Sequence, residues 1–543
     1  MANYLPDDKL QNKVLPNFKD FYNSYSQGKS TVGDTEIPYG LNMIPDNTGS
    51  ATKRLGRQRF GTQIASGHSI NGMGILKNTT YNKFIVASNT AWYSNNGTSV
   101  STLTGVTFTA DKFTDFCQAL DKLYGANGAD ALAYTADGST IVSISSAGNI
   151  GRWPTFYNQR IYMTNTAYPD RVYYSNPYNL ALTNPPTLTG FDDAHMFDTD
   201  LTQNPKRNAG FIVLNPGGGV EITRLFKDNQ AGTDYLYVYT KKHGIWRIAF
   251  NPVETSGTLN HTVSQIVSSN GSTAGNSVIK VANDQWNYTR DNFNTLGEQA
   301  QYQNVRISPK GSRVQNEILT IPSSGRANVA AGFFNSKIYF AYQTGTYNDR
   351  YLIYFIPLNA WSTPQTGNFS SFIEWEDTNG SIHFLGGSSN SSDSYIYELE
   401  TGLNDISTAI KGYFETKSTD CDLAGRIKRF AFIDVFFTTI FGSITYEVFV
   451  DEISSITGTL QVGNSTSLPI GIGSQIIGTC LIGSEFNLNT TFAYVALNSS
   501  FRIDCGYMPG KKVSVRFTNN KSNESFTIDG ITIWLVPGDI YET

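Results

Sequence analysis

The sequence predicts an all-β protein: a β-propeller of six to eight blades, with an extended N-terminal arm before it and a C-terminal β-sandwich after it. Three observations carry that prediction. Charged residues make up only 16% of the 543, while 31 Tyr, 33 Phe and 49 Gly accompany abundant Ser, Thr and Asn; such a composition suits twisted sheets far better than a helical bundle or a disordered tail. Between residues 81 and 402 an apolar strand, a polar turn and a second strand rich in Tyr, Ile or Val recur again and again. From about Lys411 the recurrence stops and other apolar strands, one of them clearly alternating, replace it.

The first 52 residues contain Pro6, Pro16, Pro38 and Pro45 and no sustained period, which predicts an extended arm with a short helix around "NFKDFYNSY". The opening "MANYLPDDKLQNK" lacks the basic region and apolar run of a signal peptide. No stretch reaches 18 consecutive apolar residues, so no membrane span is expected and synthesis in a cytosol is. Directly after the arm comes "TKRLGRQRFG", which puts Lys53, Arg54, Arg57 and Arg59 in one short stretch without an acid. A charge run of this kind is either a solvated loop or a contact for an acidic partner or DNA phosphates. The net charge of −5 argues against a protein whose whole surface grips nucleic acid.

The propeller is expected over residues 53–410. "YNKFIVASNTAWYSNNG" at Tyr81, "LDKLYGANGADALAYTADG" at Leu120, "NQRIYMTNTAYPDRVYYSNP" at Asn158, "TDYLYVYTKKHGIWRIAFNP" at Thr233, "NSKIYFAYQTGTYNDRYLIYFIPLNAW" at Asn335 and "NGSIHFLGGSSNSSDSYIYELETG" at Asn379 share the pattern, and "NSVIKVANDQWNYTRDNFNTLG" at Asn276 follows it less closely. Their first strands centre on Phe84, Leu123, Ile161, Leu236, Ile279, Ile338 and Ile382, at separations of 39, 38, 75, 43, 59 and 44 residues. Most of these match the about 40–50 residues of one four-stranded blade. Inserted loops near 192–220 and 253–325 are expected to account for the two long intervals, since a rim insertion costs little chain entropy. Independent hairpins in sandwich domains are the competing reading. One stretch, "DKFTDFCQALDK", is ambiguous because Phe113, Phe116 and Leu120 stand at helical spacing.

Residues 411–543 predict the sandwich. In "SITYEVFV" Ile444, Tyr446, Val448 and Val450 alternate with polar neighbours, as in a half-buried strand. "RFAFIDVFF" and "KVSVRF" supply further strands. In "SFTIDGITIWLV" Phe526 and Ile528 are in phase, and a bulge at Gly530 brings Ile531, Ile533 and Leu535 onto the same face.

Reacting groups are sparse. His68, His195, His243, His261 and His383 are scattered, and there is no zinc-protease helix, nucleophile elbow or phosphate-binding loop. Cys117, Cys421, Cys480 and Cys505 have neither zinc nor redox spacing, so buried thiols are expected, with a Cys480–Cys505 pairing conceivable on adjacent strands. "DDAHMFDTD" gathers Asp192, Asp193, His195, Asp198 and Asp200 without the spacing of a calcium loop, and a solvated acidic loop is the expectation. "TADGST" at 135–140 has part of the Asp-box turn of sialidase propellers but lacks its leading Ser and closing Trp. No catalytic residue, cofactor or metal site is assigned, and the chain is not expected to be an enzyme.

The order of these features carries a resemblance. "GLNMIPDNTGSATKRLGRQRFGT", then the Arg-Val-Tyr-Tyr-Ser of "NQRIYMTNTAYPDRVYYSNP", then "AAGFFNSKIYFAYQTGTYNDRYLIYFIPLNAWS", then "KKVSVRFTNNKSNESFTIDGITIWLVPG" form a series over residues 38–543 that resembles the propeller-containing tail hub or nozzle proteins of short-tailed bacteriophages. The resemblance implies a structural virion component, made in the host cytoplasm and resident in the tail. It implies several copies, six in nozzle-type members, forming a ring with neighbouring tail, adaptor or portal proteins and touching exiting DNA transiently. Arm, propeller rim and sandwich would join the copies, with Lys53, Arg54, Arg57 and Arg59 at a subunit contact. Glu at positions 54 and 57 is then expected to abolish ring assembly and leave the single chain folded. Two other classes stand beside this one: a receptor- or glycan-binding tail protein stacking sugars on Trp92, Trp153 or Trp246, and a propeller glycosidase or depolymerase.

Overall fold

Six of the seven recurring hairpins form the second and third strands of a sheet, and among the described residues seven such sheets follow one another along the chain, five of four antiparallel strands, one of five and one of six. The computed structural model describes residues 10–23, 32–46, 48–144, 150–177, 196–197, 209–215, 218–230, 232–255, 258–269, 271–299, 304–461 and 495–538. Blades 1 to 6 occupy residues 70–102, 115–143, 155–213, 222–267, 279–309 and 330–361. Blade 7 takes three strands from residues 369–399 and its fourth from the far end of the chain, β7 (Arg57–Arg59), beyond which lie the two-residue strands Asn404–Asp405 and Thr408–Ala409. Tight turns set the registers: Asn158–Gln159 and Asn335–Ser336 link first to second strands in blades 3 and 6, both residues of each pair at positive φ. That is the backbone a two-residue hairpin of the right twist requires.

The ring closes on itself. The first strand of each blade is innermost, and that of blade 7, Phe369–Glu376, packs against that of blade 1, Ile70–Lys77. Apolar clusters fill the gaps between blades. Phe60, Ile70, Phe84, Trp375 and Leu385 join blades 7 and 1; Leu76, Ile85, Trp92, Leu123 and Ala133 join blades 1 and 2. A hairpin standing alone buries too little to be stable, whereas a closed ring of sheets buries both faces of each blade.

Two sequence expectations need correction here. Six of the seven predicted centres lie in the second strand of a blade, but Ile279 lies in the first strand of blade 5, Ile279–Val281. The second strand is Asp284–Tyr288. Counting from Trp286 in place of Ile279 turns the intervals of 43 and 59 into 50 and 52 residues. The stretch 253–325 is therefore not an inserted loop. It carries the end of blade 4 and all of blade 5, including Phe293–Gln299 and Asn304–Pro309. The other expected insertion, near 192–220, falls mostly outside the described residues; the part that is described includes the last strand of blade 3, Gly210–Val213. The ambiguous stretch at 113–120 is a strand, Asp115–Ala119.

The C-terminal sandwich is built jointly with the arm. Its strands β1 (Gln11–Pro16), β4 (Tyr39–Leu41), β5 (Met43–Pro45) and β6 (Ala51–Lys53) come from the first 53 residues. One sheet runs Val495–Gly510, Lys428–Phe441, Ser525–Pro537, β6, β5, with β1 also paired to Ser525–Pro537 from Gln11↔Leu535 to Pro16↔Gly530. The other runs β4, Gly412–Glu415, Val513–Asn519, Ser443–Val450, Ile453–Gln461. Phe430, Ile433, Val435 and Phe437 of one sheet meet Ile444, Val448, Val515 and Phe517 of the other in a core that continues into blades 5 and 6. The predicted bulge is present. Phe436 pairs with Gly530 and Phe437 with Ile528, which leaves Asp529 as the extra residue and keeps Phe526, Ile528, Ile531, Ile533 and Leu535 buried in one row.

The expected helix around "NFKDFYNSY" is absent from its described part, residues 17–23, which holds instead β2 (Asp20–Phe21), paired in parallel with β3 (Glu36–Ile37). Tertiary contacts override the local spacing. Asp20 is buried, ion-paired to Arg313 and accepting the Trp361 backbone N–H at 2.8 Å. Phe18 and Phe21 enter the common core. The arm thus ties sandwich to propeller along blades 5 and 6.

Candidate functional site

The basic segment crosses from the sandwich to the propeller, and this crossing decides where its charges go. Lys53 ends β6 and is 1% exposed. Its Nζ donates to Asn519 Oδ1 at 2.6 Å and to the Glu524 carbonyl at 2.9 Å. Burial pushes its ammonium down to about 8, against the pull of the Glu524 carboxylate. Arg54, 4% exposed, makes a two-pronged pair with Asp405 at 2.8 and 2.6 Å. It also donates from Nε to Asn42 Oδ1 at 3.0 Å and to the Leu55 and Thr366 carbonyls. Gly56 must be glycine here, because a Cβ would stand 1.9 Å from the Asn404 carbonyl oxygen.

Past that point the strand β7 closes blade 7, pairing Arg57 with Leu399 and Arg59 with Tyr397. Arg57 is half-buried; its guanidinium lies 4.7 Å from the Tyr397 ring centre and donates to Asn368 Oδ1 at 3.0 Å. Arg59 is exposed and stacks 4.1 Å over Tyr395. The expectation that all four cations face a partner or DNA phosphates is corrected for Lys53 and Arg54. Their donors are consumed inside the chain, and a carboxylate at position 54 would face Asp405 in a buried site. Removing one partner of a buried pair costs about 3–5 kcal/mol, so Glu at 54 tests folding and not assembly. Arg59 alone of the four is exposed.

The remaining sequence candidates do not converge. His68 meets Asp111 at 3.0 Å, His261 meets the Tyr162 hydroxyl at 3.1 Å, and His383 meets Glu398 at 2.7 Å, each on a different part of the ring. His195, Asp192, Asp193, Asp198 and Asp200 lie outside the described residues, as does Cys480. Cys117, Cys421 and Cys505 are free thiols, each pushed up to about 12, chiefly by burial. In "TADGST" the Asp137 carboxylate accepts the Ser139 and Thr140 backbone N–H groups at 2.8 and 2.9 Å, the bonds of a turn. Among the described residues no group of three or more His, Cys, Asp or Glu could hold a metal ion. Trp92 and Trp153 are buried, and Trp246 is partly buried against the core between blades 3 and 4. These three indoles do not form an open stacking face.

A surface that the sequence reading did not single out lies on the outer face of the larger sandwich sheet. Cross-strand register places Trp534 beside Phe432, then Val14, Thr532, Asp434 and Arg502 in one row, then Phe436 opposite Gly530. Phe432 and Trp534 are 5.5 Å apart, and Arg502 sits 3.8 Å over Phe432 while pairing with Asp434 at 2.7 Å. Phe436 is 42% and Val14 49% exposed. The signal was present in "RFAFIDVFF", which is apolar at consecutive positions, so that if one face fills the core the other must carry Phe432 and Phe436 outward.

No protein-family model and no curated protein matches this chain. Solved structures similar to it include BBS1N in complex with ARL6DN, at 9% identity and a TM-score of 0.38 over 64% of this chain and 97% of that one. The Cps50 (Swd1) β-propeller domain of Myceliophteria thermophila is similar at 9% identity and 0.37, over 63% and 99%. BamB from Moraxella catarrhalis is similar at 9% identity and 0.30, over 66% and 94%. The likeness is in fold, and at these scores it says nothing about function. The chain is an all-β propeller protein.

Proposed function

We propose that this chain is a structural component of a bacteriophage tail, a nozzle or hub subunit that assembles with copies of itself into a ring around the DNA exit path. The observation that favours this reading is the outward face of the sandwich sheet, where exposed Phe436 and Val14 flank half-buried Phe432 and Trp534, on a sandwich that the arm locks to the propeller. An aromatic patch with one arginine on a rigid sheet has the composition of an interface centre. A second copy of the chain is its occupant. The series of segments that resembles tail hub and nozzle proteins supports the same reading, in which the subunit belongs to the virion and its ring adjoins neighbouring tail, adaptor or portal proteins.

The test is Phe436→Asp in the full-length protein. Phe436 touches no described core cluster and stands opposite Gly530, so the variant is expected to melt within a few degrees of the parent and to sediment as monomer where the parent sediments as a ring. A variant that still forms rings of parental mass would overturn the assignment of this face.

A further inference from the structure

We propose that the end of the propeller where the innermost strands begin holds a binding site for a small oxyanion of the phosphate class, formed by Arg152, Arg224 and the indole between them. Three blades contribute. Asp115 opens the first strand of blade 2, Arg152 and Trp153 precede the first strand of blade 3, Thr155–Tyr157, and Arg224 is the third residue of the first strand of blade 4, Ile222–Gln230. The Arg152 and Arg224 guanidinium carbons lie 4.5 and 4.7 Å from the Trp153 ring centre, so they can be no further apart than those two distances laid end to end.

The charges do not balance. Arg224 pairs with Asp115 at 2.7 Å. Arg152 has no acceptor for its guanidinium among the described residues, and its Nε, like that of Arg224, is buried without a hydrogen-bond partner. One carboxylate therefore serves two arginines, and the buried Nε donor of each goes unmet. Leaving such donors unmet is costly, and a planar guanidinium fork matches an oxyanion bidentately. Burial and the neighbouring Arg224 press the Arg152 charge downward, against the help of Asp115, as expected of a cation awaiting a counter-charge.

The backbone holds this arrangement at a cost. Trp153 is buried yet adopts φ +59°, a left-handed conformation that a bulky side chain rarely takes. It is kept there by tight surroundings. A Cβ on Gly275 would stand 2.4 Å from the indole, and one on Gly128 would stand 2.7 Å from the Arg152 Cγ. Thr164 fixes the Arg152 backbone, its N–H donating to the Arg152 carbonyl at 2.9 Å. Because the indole is covered, the site offers no face for stacking a base, and a free anion suits it better than a nucleic-acid backbone.

Titrating the full-length protein with inorganic phosphate by calorimetry, in a chloride buffer, tests this. Saturable binding is expected, with a matching rise in the melting midpoint. Arg152→Gln, which removes no described hydrogen bond or ion pair, should fold, melt near the parent without phosphate, and bind at least tenfold more weakly; Arg152→Lys should fall between. An exposed control, Arg290→Gln, should bind as the parent does. Absence of phosphate binding, equal binding by Arg152→Gln, or binding of an oligothymidylate but not of phosphate would each overturn the proposal.

Discussion

Lys53 shows how a single buried cation ties the molecule's stability to pH. Below about pH 8 it is protonated in both folded and unfolded chains, and the penalty for burying the charge is fully present. Between about 8 and the ordinary 10.5 the folded chain has released the proton while the unfolded chain still holds it, so folding gains stability as pH rises. The gain is on the order of 2–3 kcal/mol. Buried tyrosines such as Tyr162 and Tyr288, pushed up by burial, act in the opposite direction above pH 10, so the comparison must be with a variant. The unfolding free energy of the parent minus that of Lys53→Met should therefore climb by that amount across the window. A flat difference from pH 7 to 10.5 would show that the Lys53 ammonium is not penalised by burial.

At the scale of elements, β1 makes the sharpest claim, because a loose arm and a sandwich strand predict opposite results. Leu15 is fully buried and pairs with Ile531. Leu15→Ala should cost about 2–5 kcal/mol in denaturant unfolding, as core truncations do; a cost below about 0.5 kcal/mol, usual for surface positions, would mean that the arm is not part of the sandwich. The same elements show what could be read from the sequence. Strands whose apolar residues face one core, such as Phe526 through Leu535 with its bulge, were legible down to the phase. Blade 5 was not, because its strands bury polar residues. Asn287, Asn294 and Thr295 are all buried, and Asn287 donates to the Gly271 carbonyl at 2.9 Å, so "NFNTLGEQ" has the texture of a loop. The strand β7, Arg-Gln-Arg, carries no apolar signal because backbone pairing and rings beneath its arginines hold it. Its charge cluster was visible and its destination was not. The Asp115, Arg152, Trp153 and Arg224 group was beyond reach, since three separate blades meet to form it.

For the whole molecule, the path of the first 60 residues matters most. They supply four strands to the sandwich, dock along blades 5 and 6 and then close the ring through blade 7, so neither body is complete without them. A chain held together in this way is a stiff block, and what remains for association is the aromatic face of the sandwich sheet and the rim of the propeller. The measurement that tests this most directly is the mass of the purified full-length protein by light scattering, paired with negative-stain images of the same fractions. The account predicts a single species of several copies that images as a ring with a central opening wide enough for duplex DNA. A monodisperse particle of 59.8 kDa at every concentration examined would contradict it.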